Sequence, residues 1–99
     1  MATITQRINR GVALLQEGKP DRAAELYQEI LSRSPENPDA LHLLSVALYQ
    51  LGDPPGAARL AERAVRLLPG AADYYSNLGR YYISLGRLGE AVATLERAV

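Results

Sequence analysis

His42 is the only histidine in the chain, and Asp39 stands three residues before it, one helical turn away. Acid–base or metal chemistry at such a pair needs further groups converging on the imidazole. None is spaced to do so. Ser32, Ser34, Ser45, Ser76 and Ser84 have no histidine at a motif spacing, and no phosphate-loop, dinucleotide, zinc-protease or nucleophile-elbow run occurs. With no cysteine there are no disulfides and no thiolate metal ligands. The carboxylates are scattered on what pattern as helix surfaces. The expectation is a chain without catalytic residues, metal or cofactor, in which His42 lines a groove or lies on the surface. All six aromatic side chains are tyrosines, which could stack on bases, but such platforms work beside a basic groove. Eleven basic residues balance eleven acidic ones, which disfavours nucleic acid and anionic membrane surfaces as partners. No run approaches the roughly 18 apolar residues of a membrane span. Arg7 and Arg10 interrupt a start that lacks the form of a secretory signal. A cytoplasmic location is therefore expected.

The elements that would position any site are helices. Thr3 and Gln6 have the form of a capping box that opens a first helix, with Ile4, Ile8, Val12 and Leu15 along one face. Gly18 stops it. Pro20 suits the first turn of a second helix carrying Ala23, Leu26, Tyr27, Ile30 and Leu31, with Glu29 and Arg33 spaced for an ion pair. Asn37 caps a third helix with the stripe Leu41, Leu44, Leu48 and Leu51, ended by Gly52. Asp53 caps a fourth with Ala57, Leu60, Ala61, Ala64, Val65 and Leu68, and Pro69-Gly70 breaks it. A fifth runs from about Ala72 to Leu85, and a sixth starts near Leu88 and stays in pattern to Val99. No segment alternates with period two, so no strand is expected.

Gly18, Gly52 and Gly86 are 34 residues apart, as are Ala23, Ala57 and Ala91, and Pro35 and Pro69. A fixed period of this size is the mark of a repeat array. The frame resembles the tetratricopeptide repeat slot by slot. Its large aromatic place holds Arg7, Leu41 and Tyr75; its leucine place Arg10, Leu44 and Leu78; its small place Gly11, Ser45 and Gly79; its tyrosine place Leu14, Leu48 and Tyr82. The alanines follow, then Tyr27, Ala61 and Leu95 at the phenylalanine place, Ile30, Ala64 and Ala98 three further on, and the closing prolines. The resemblance implies an all-α fold: three antiparallel helix–turn–helix repeats stacked as a right-handed solenoid. We expect one domain over residues 1–99, with repeats at about 4–37, 38–71 and 72–99, the last incomplete. Arg7 and Arg10 would face water at the start of the array. Ala61 leaves an aromatic place short, and Tyr74 or Tyr81, seven apart where the earlier helix has Ala40 and Ala47, would fill it.

By the same resemblance, the first helix of each pair lines a concave groove for a peptide or partner helix. Thr5, Ile8, Asn9, Val12, Leu15 and Gln16 would line it first, followed by Asp39, His42, Leu43, Val46, Tyr49 and Gln50. Asp73, Ser76, Asn77, Arg80, Ile83 and Ser84 would complete it. The family's clamp for a peptide carboxylate needs Lys, Arg and Asn, where this chain has Ile8, Val12, Leu43, Asp73 and Asn77. An asparagine row, as in repeats attached to sugar-transferring enzymes, is met by Asn9 and Asn77 and broken by Leu43. The resemblance implies a non-catalytic protein–protein interaction scaffold. The alternatives are the N-terminal targeting or substrate-recognition segment of a larger enzyme, and a homo-oligomerising scaffold. Because the pattern is uninterrupted at Val99, the chain is expected to be the N-terminal fragment of a longer array, and its uncapped last repeat to self-associate.

Overall fold

A computed structural model describes residues 1–99. Six helices follow one another: α1 (Ile4–Gln16), α2 (Pro20–Arg33), α3 (Pro38–Gln50), α4 (Pro54–Leu67), α5 (Ala72–Ser84) and α6 (Leu88–Arg97). Local chemistry sets most of their ends. Thr3 Oγ1 accepts from the Gln6 amide while Gln6 Oε1 accepts from the Thr3 amide, so two otherwise unpaired donors are satisfied at the start of α1. Asn37 and Asp53 accept from the amides of Ala40 and Gly56, and prolines occupy the first turns of α2, α3 and α4. Within each pair the turn passes through a left-handed glycine: Gly18, Gly52 and Gly86 have φ of 76°, 85° and 73°. α6 ends at Arg97, with Ala98 as its cap, so helix does not continue to Val99.

Each helix packs against the next in sequence, giving three antiparallel pairs stacked as an all-α repeat array of 44 × 26 × 20 Å. The odd helices also touch each other, α1 on α3 and α3 on α5, whereas no Cα of α2 approaches α4, or of α4 approaches α6, within 8 Å. The odd layer is the tighter one. The array therefore curves with α1, α3 and α5 on its concave side and the even helices splayed on its convex side.

The small places of the frame are where helices cross. A Cβ on Gly11 would sit 2.4 Å from Cζ of Tyr27, and one on Gly79 would sit 2.5 Å from Cδ2 of Leu95. Tyr27 is fully buried in the core formed by α1, α2 and α3, and its hydroxyl donates to the Ile8 carbonyl at 3.4 Å. Burial pushes that hydroxyl up to about 12. In the middle pair the crossing differs: Ser45 faces a layer in which Ala61 replaces the large ring. Tyr81, from α5, shares the core cluster of Ala57, Ala58 and Ala61 and occupies that space. Tyr74 lies further along, clustered with Leu41 and Ala64.

Three expectations change. Leu51 and Leu68 are exposed because they are the C-caps of α3 and α4, where the chain leaves the helical path and the apolar stripe no longer faces inward. Glu29 pairs with Arg7 of α1 at 2.9 Å and not with Arg33, because the long Arg7 side chain reaches across the first helix pair. Arg7 is accordingly half-buried, and only Arg10 meets water as expected.

Candidate functional site: the concave face

The concave side is built in columns, each residue recurring one repeat later on the next odd helix. Thr5, Asp39 and Asp73 form one column; Asn9, Leu43 and Asn77 another; Val12, Val46 and Arg80 a third; Gln16, Gln50 and Ser84 a fourth. Thr5, Asn9, Gln16, Gln50, Asp73 and Arg80 are exposed, and their side chains make no hydrogen bond or ion pair. Ser76 is exposed, its hydroxyl turned back to the Ala72 carbonyl at 3.4 Å. Ile83 is 52 % exposed.

The apolar residues divide into two groups. Ile8, Leu15 and Leu43 are half-buried and packed against the first core cluster, and Tyr49 against the second. Their apolar character serves helix packing. Val12 and Val46 are half-buried but belong to none of the three clusters.

Between α3 and α5 the sequence-predicted residues meet one another. His42 is only 7 % exposed, with its ring stacked on Tyr74 at a centroid distance of 4.2 Å. It is a buried seam residue and not a groove-lining one, because Tyr74 replaces the small residue that the first seam has at Ala40 and closes over the imidazole. The Asn77 amide donates to His42 Nε2 at 3.4 Å, leaving Nδ1 buried without a partner. Burial lowers the imidazole's affinity for a proton, against the opposing pull of the Asp73 and Asp39 carboxylates. The Tyr74 hydroxyl donates to Asp39, and the Tyr49 hydroxyl and Ser84 Oγ are 2.8 Å apart. Ser45 Oγ lies 3.1 Å from the Tyr81 hydroxyl and donates to the His42 carbonyl. Tyr49 and Tyr81 are tilted rings 5.0 Å apart. Burial raises the hydroxyls of both Tyr74 and Tyr81 above the ordinary tyrosine range.

Asp39, His42, Tyr49, Asn77 and Ser84 therefore hold α3 to α5, with Asn77 engaged by His42. Ser45, Tyr74 and Tyr81 lie outside the faces expected to line the groove, and their place in the seam follows from pairing between helices. The offset of 35 residues shared by 39 and 74, 42 and 77, and 49 and 84 is one repeat plus one position. No three His, Asp or Glu side chains are grouped to hold a metal ion, and no helix is long and apolar enough to cross a membrane.

Comparison with known proteins bears on the family and the fold. Over 84 residues, 85 % of this chain, it is 26 % identical to the human NatB auxiliary subunit of N-alpha-acetyltransferase, of which it spans 8 %. A mutant O-GlcNAc transferase from Thermobaculum terrenum superposes with a TM-score of 0.91 at 28 % identity, over 99 % of this chain and 20 % of that one. The second TPR domain of Spaghetti, solved with an HSP90 peptide, shares the fold at TM-score 0.88 and 23 % identity, over 93 % of this chain and 85 % of that one. The tetratricopeptide repeat model matches residues 8–72 and again 42–99, and the chain belongs to the tetratricopeptide repeat family.

Proposed function

We infer that residues 1–99 act as one non-catalytic interaction domain that holds a peptide or partner helix on the concave face of α1, α3 and α5. The observation that carries this is the Val12–Val46 column. Two apolar side chains one repeat apart are half-exposed, lie outside every core cluster, and are bordered by exposed polar groups without partners. An apolar strip with an unengaged polar rim is the make-up of a docking surface. Over α1 and α3 this strip is free, whereas over α3 and α5 the side chains are engaged with each other. The ligand therefore sits toward the N-terminal half, with Asp73 and Arg80 as its polar limit. A peptide carboxylate clamp does not suit this face, since Ile8, Val12, Leu43 and Asp73 stand at its matching places and Asn77 where a basic residue belongs. The fold itself accommodates peptides, as in the Spaghetti domain.

The test is a peptide-array screen with the wild type and the double variant Val12→Asp/Val46→Asp, whose folding is checked by circular dichroism. Loss of captured peptides by the folded variant is expected; undiminished capture overturns the reading.

A second reading has its own support. The likeness to the transferase covers one fifth of that protein (20 %), which favours a substrate-recognition segment within a larger enzyme. An immunoblot of the native polypeptide distinguishes it by size. Self-association is supported by α6, where Ala91 alone is fully buried while Leu88 and Val92 are 61 % and 60 % exposed. Sedimentation showing a monomer at all concentrations would count against it.

A further inference from the structure

The convex side carries a second feature, independent of the concave face. Arg59, Arg63 and Arg66 follow one another at spacings of four and three along α4 and are exposed. None takes part in any of the molecule's ion pairs. Arg63 donates only to the Pro35 carbonyl, at 3.2 Å. Glu62, the one carboxylate within α4, instead accepts from the Tyr82 hydroxyl at 2.5 Å. Beside the arginines a cleft of about 390 Å³ opens between α2 and α4, whose Cα atoms stay more than 8 Å apart. Arg59 and Arg63 form one wall, Gln28 another, and Leu44, Leu48 and Leu60 the apolar floor. A second cleft of about 250 Å³ runs past Arg63 to Arg66, Leu67 and Glu36.

We propose that this convex cleft is a second protein-docking site, taking a short acidic peptide segment with one apolar side chain on the leucine floor and its carboxylates on Arg59, Arg63 and Arg66. Unpaired guanidinium groups are strong partners for carboxylates, and their fork geometry favours bidentate pairing. The stripe from Arg59 to Arg66 is about 10 Å long, from roughly 1.5 Å per helical residue, which matches about three residues of extended chain. Asp53 and Glu36 border the two clefts and limit the positive field to that length, which disfavours a long polyanion. The repeat frame does not call for these arginines: the same places on α2 hold Glu25, Glu29 and Ser32. On α6 the first two places hold Ala93 and Arg97, so the run of three arginines occurs in the middle repeat alone.

Fluorescence anisotropy tests it with labelled Glu-Glu-Leu-Glu-Glu, its Gln-Gln-Leu-Gln-Gln and Glu-Glu-Ser-Glu-Glu counterparts, vesicles of 70:30 phosphatidylcholine and phosphatidylserine, and polyuridine RNA. The first peptide should bind, weaken with added salt, and bind about tenfold better than either counterpart, the equivalent of one charge-assisted bond. Arg59→Glu and Arg66→Glu should each weaken it about tenfold. These two variants leave the Arg63 bond to Pro35 in place, so folding is not at stake. Val46→Asp on the concave face should leave it unchanged. Absence of binding at millimolar peptide, binding indifferent to the arginine variants, or preference for vesicles or RNA overturns the proposal.

Discussion

The two seams between odd helices are built on one repeat frame and solved in opposite ways. Between α1 and α3, the equivalent positions are Thr5 and Ala40, Ile8 and Leu43, Gly11 and Ala47, Leu15 and Gln50, and no side-chain hydrogen bond crosses. Between α3 and α5 they are Asp39 and Tyr74, His42 and Asn77, Ser45 and Tyr81, Tyr49 and Ser84, and every pair is hydrogen-bonded. The source of the difference is the large ring. In the first seam Tyr27 comes up from α2 against Gly11, and small residues suffice on α3. In the second, Ala61 withdraws, and tyrosines from α5 take the space. A buried tyrosine brings a hydroxyl that needs a partner, so polar residues follow it into the seam. The first seam keeps an apolar strip open to ligand; the second consumes its polar groups in holding repeats together.

The largest expected effect breaks the second seam outright. Tyr81→Ala removes a ring that is 1 % exposed and should cost about 3–5 kcal/mol, read as the urea midpoint. If the loss is no larger than about 1 kcal/mol, as for a half-buried truncation such as Val46→Ala, the seam does not depend on that ring. The matching break in the first seam is Gly11→Ala. Its new Cβ would press on the rigid Tyr27 ring, at an expected cost of about 1–3 kcal/mol. Gly79→Ala should cost less, because the end of Leu95 can rotate away, and equal losses would contradict that distinction.

Ser45→Ala sharpens the contrast on a smaller scale. It leaves the buried Tyr81 hydroxyl without its partner and should cost about 1 kcal/mol, while adding Tyr81→Phe should recover part of it. His42 gives the second seam a pH dependence that the first, with Ile8 at the same place, lacks. Burial holds the folded-state imidazole below its ordinary value. Below about pH 6.5 the unfolded chain therefore takes up a proton that the folded chain resists, so stability is complete above that pH and falls as the pH drops through it. In His42→Phe the melting temperature should lose this decline between pH 7 and 5.5. The smallest effect is expected at Glu90, exposed and hydrogen-bonded to Arg87 at 2.6 and 2.7 Å, far from the first seam. Glu90→Gln should leave the thermal midpoint where it is.

Much of this architecture is legible in the sequence. The frame of Gly18, Gly52 and Gly86 placed all three turns, and Thr3, Asn37 and Asp53 placed three helix starts. The period also set which residues recur in one column of the odd helices, while their place in a groove came from the family resemblance. What those columns do was less legible. Val12 and Val46 read the same as Ile8 and Leu15 in sequence, and only packing separates a half-exposed valine from one that completes the core. His42 read as a groove residue because the ring that covers it is 32 residues further on, on another helix.

The sequence by itself determined where most of the helices start and stop, how many there are, and that they repeat. Caps, proline geometry and left-handed glycines act within a few residues of backbone. The tertiary structure alone decided that Glu29 pairs with Arg7, that Tyr81 and not Tyr74 fills the space beside Ala61, and that three arginines of α4 remain without a carboxylate partner beside the convex clefts. Those outcomes depend on how far apart the helices settle and how each is turned about its axis. Both are set by the sum of many side-chain contacts and by no single run of residues.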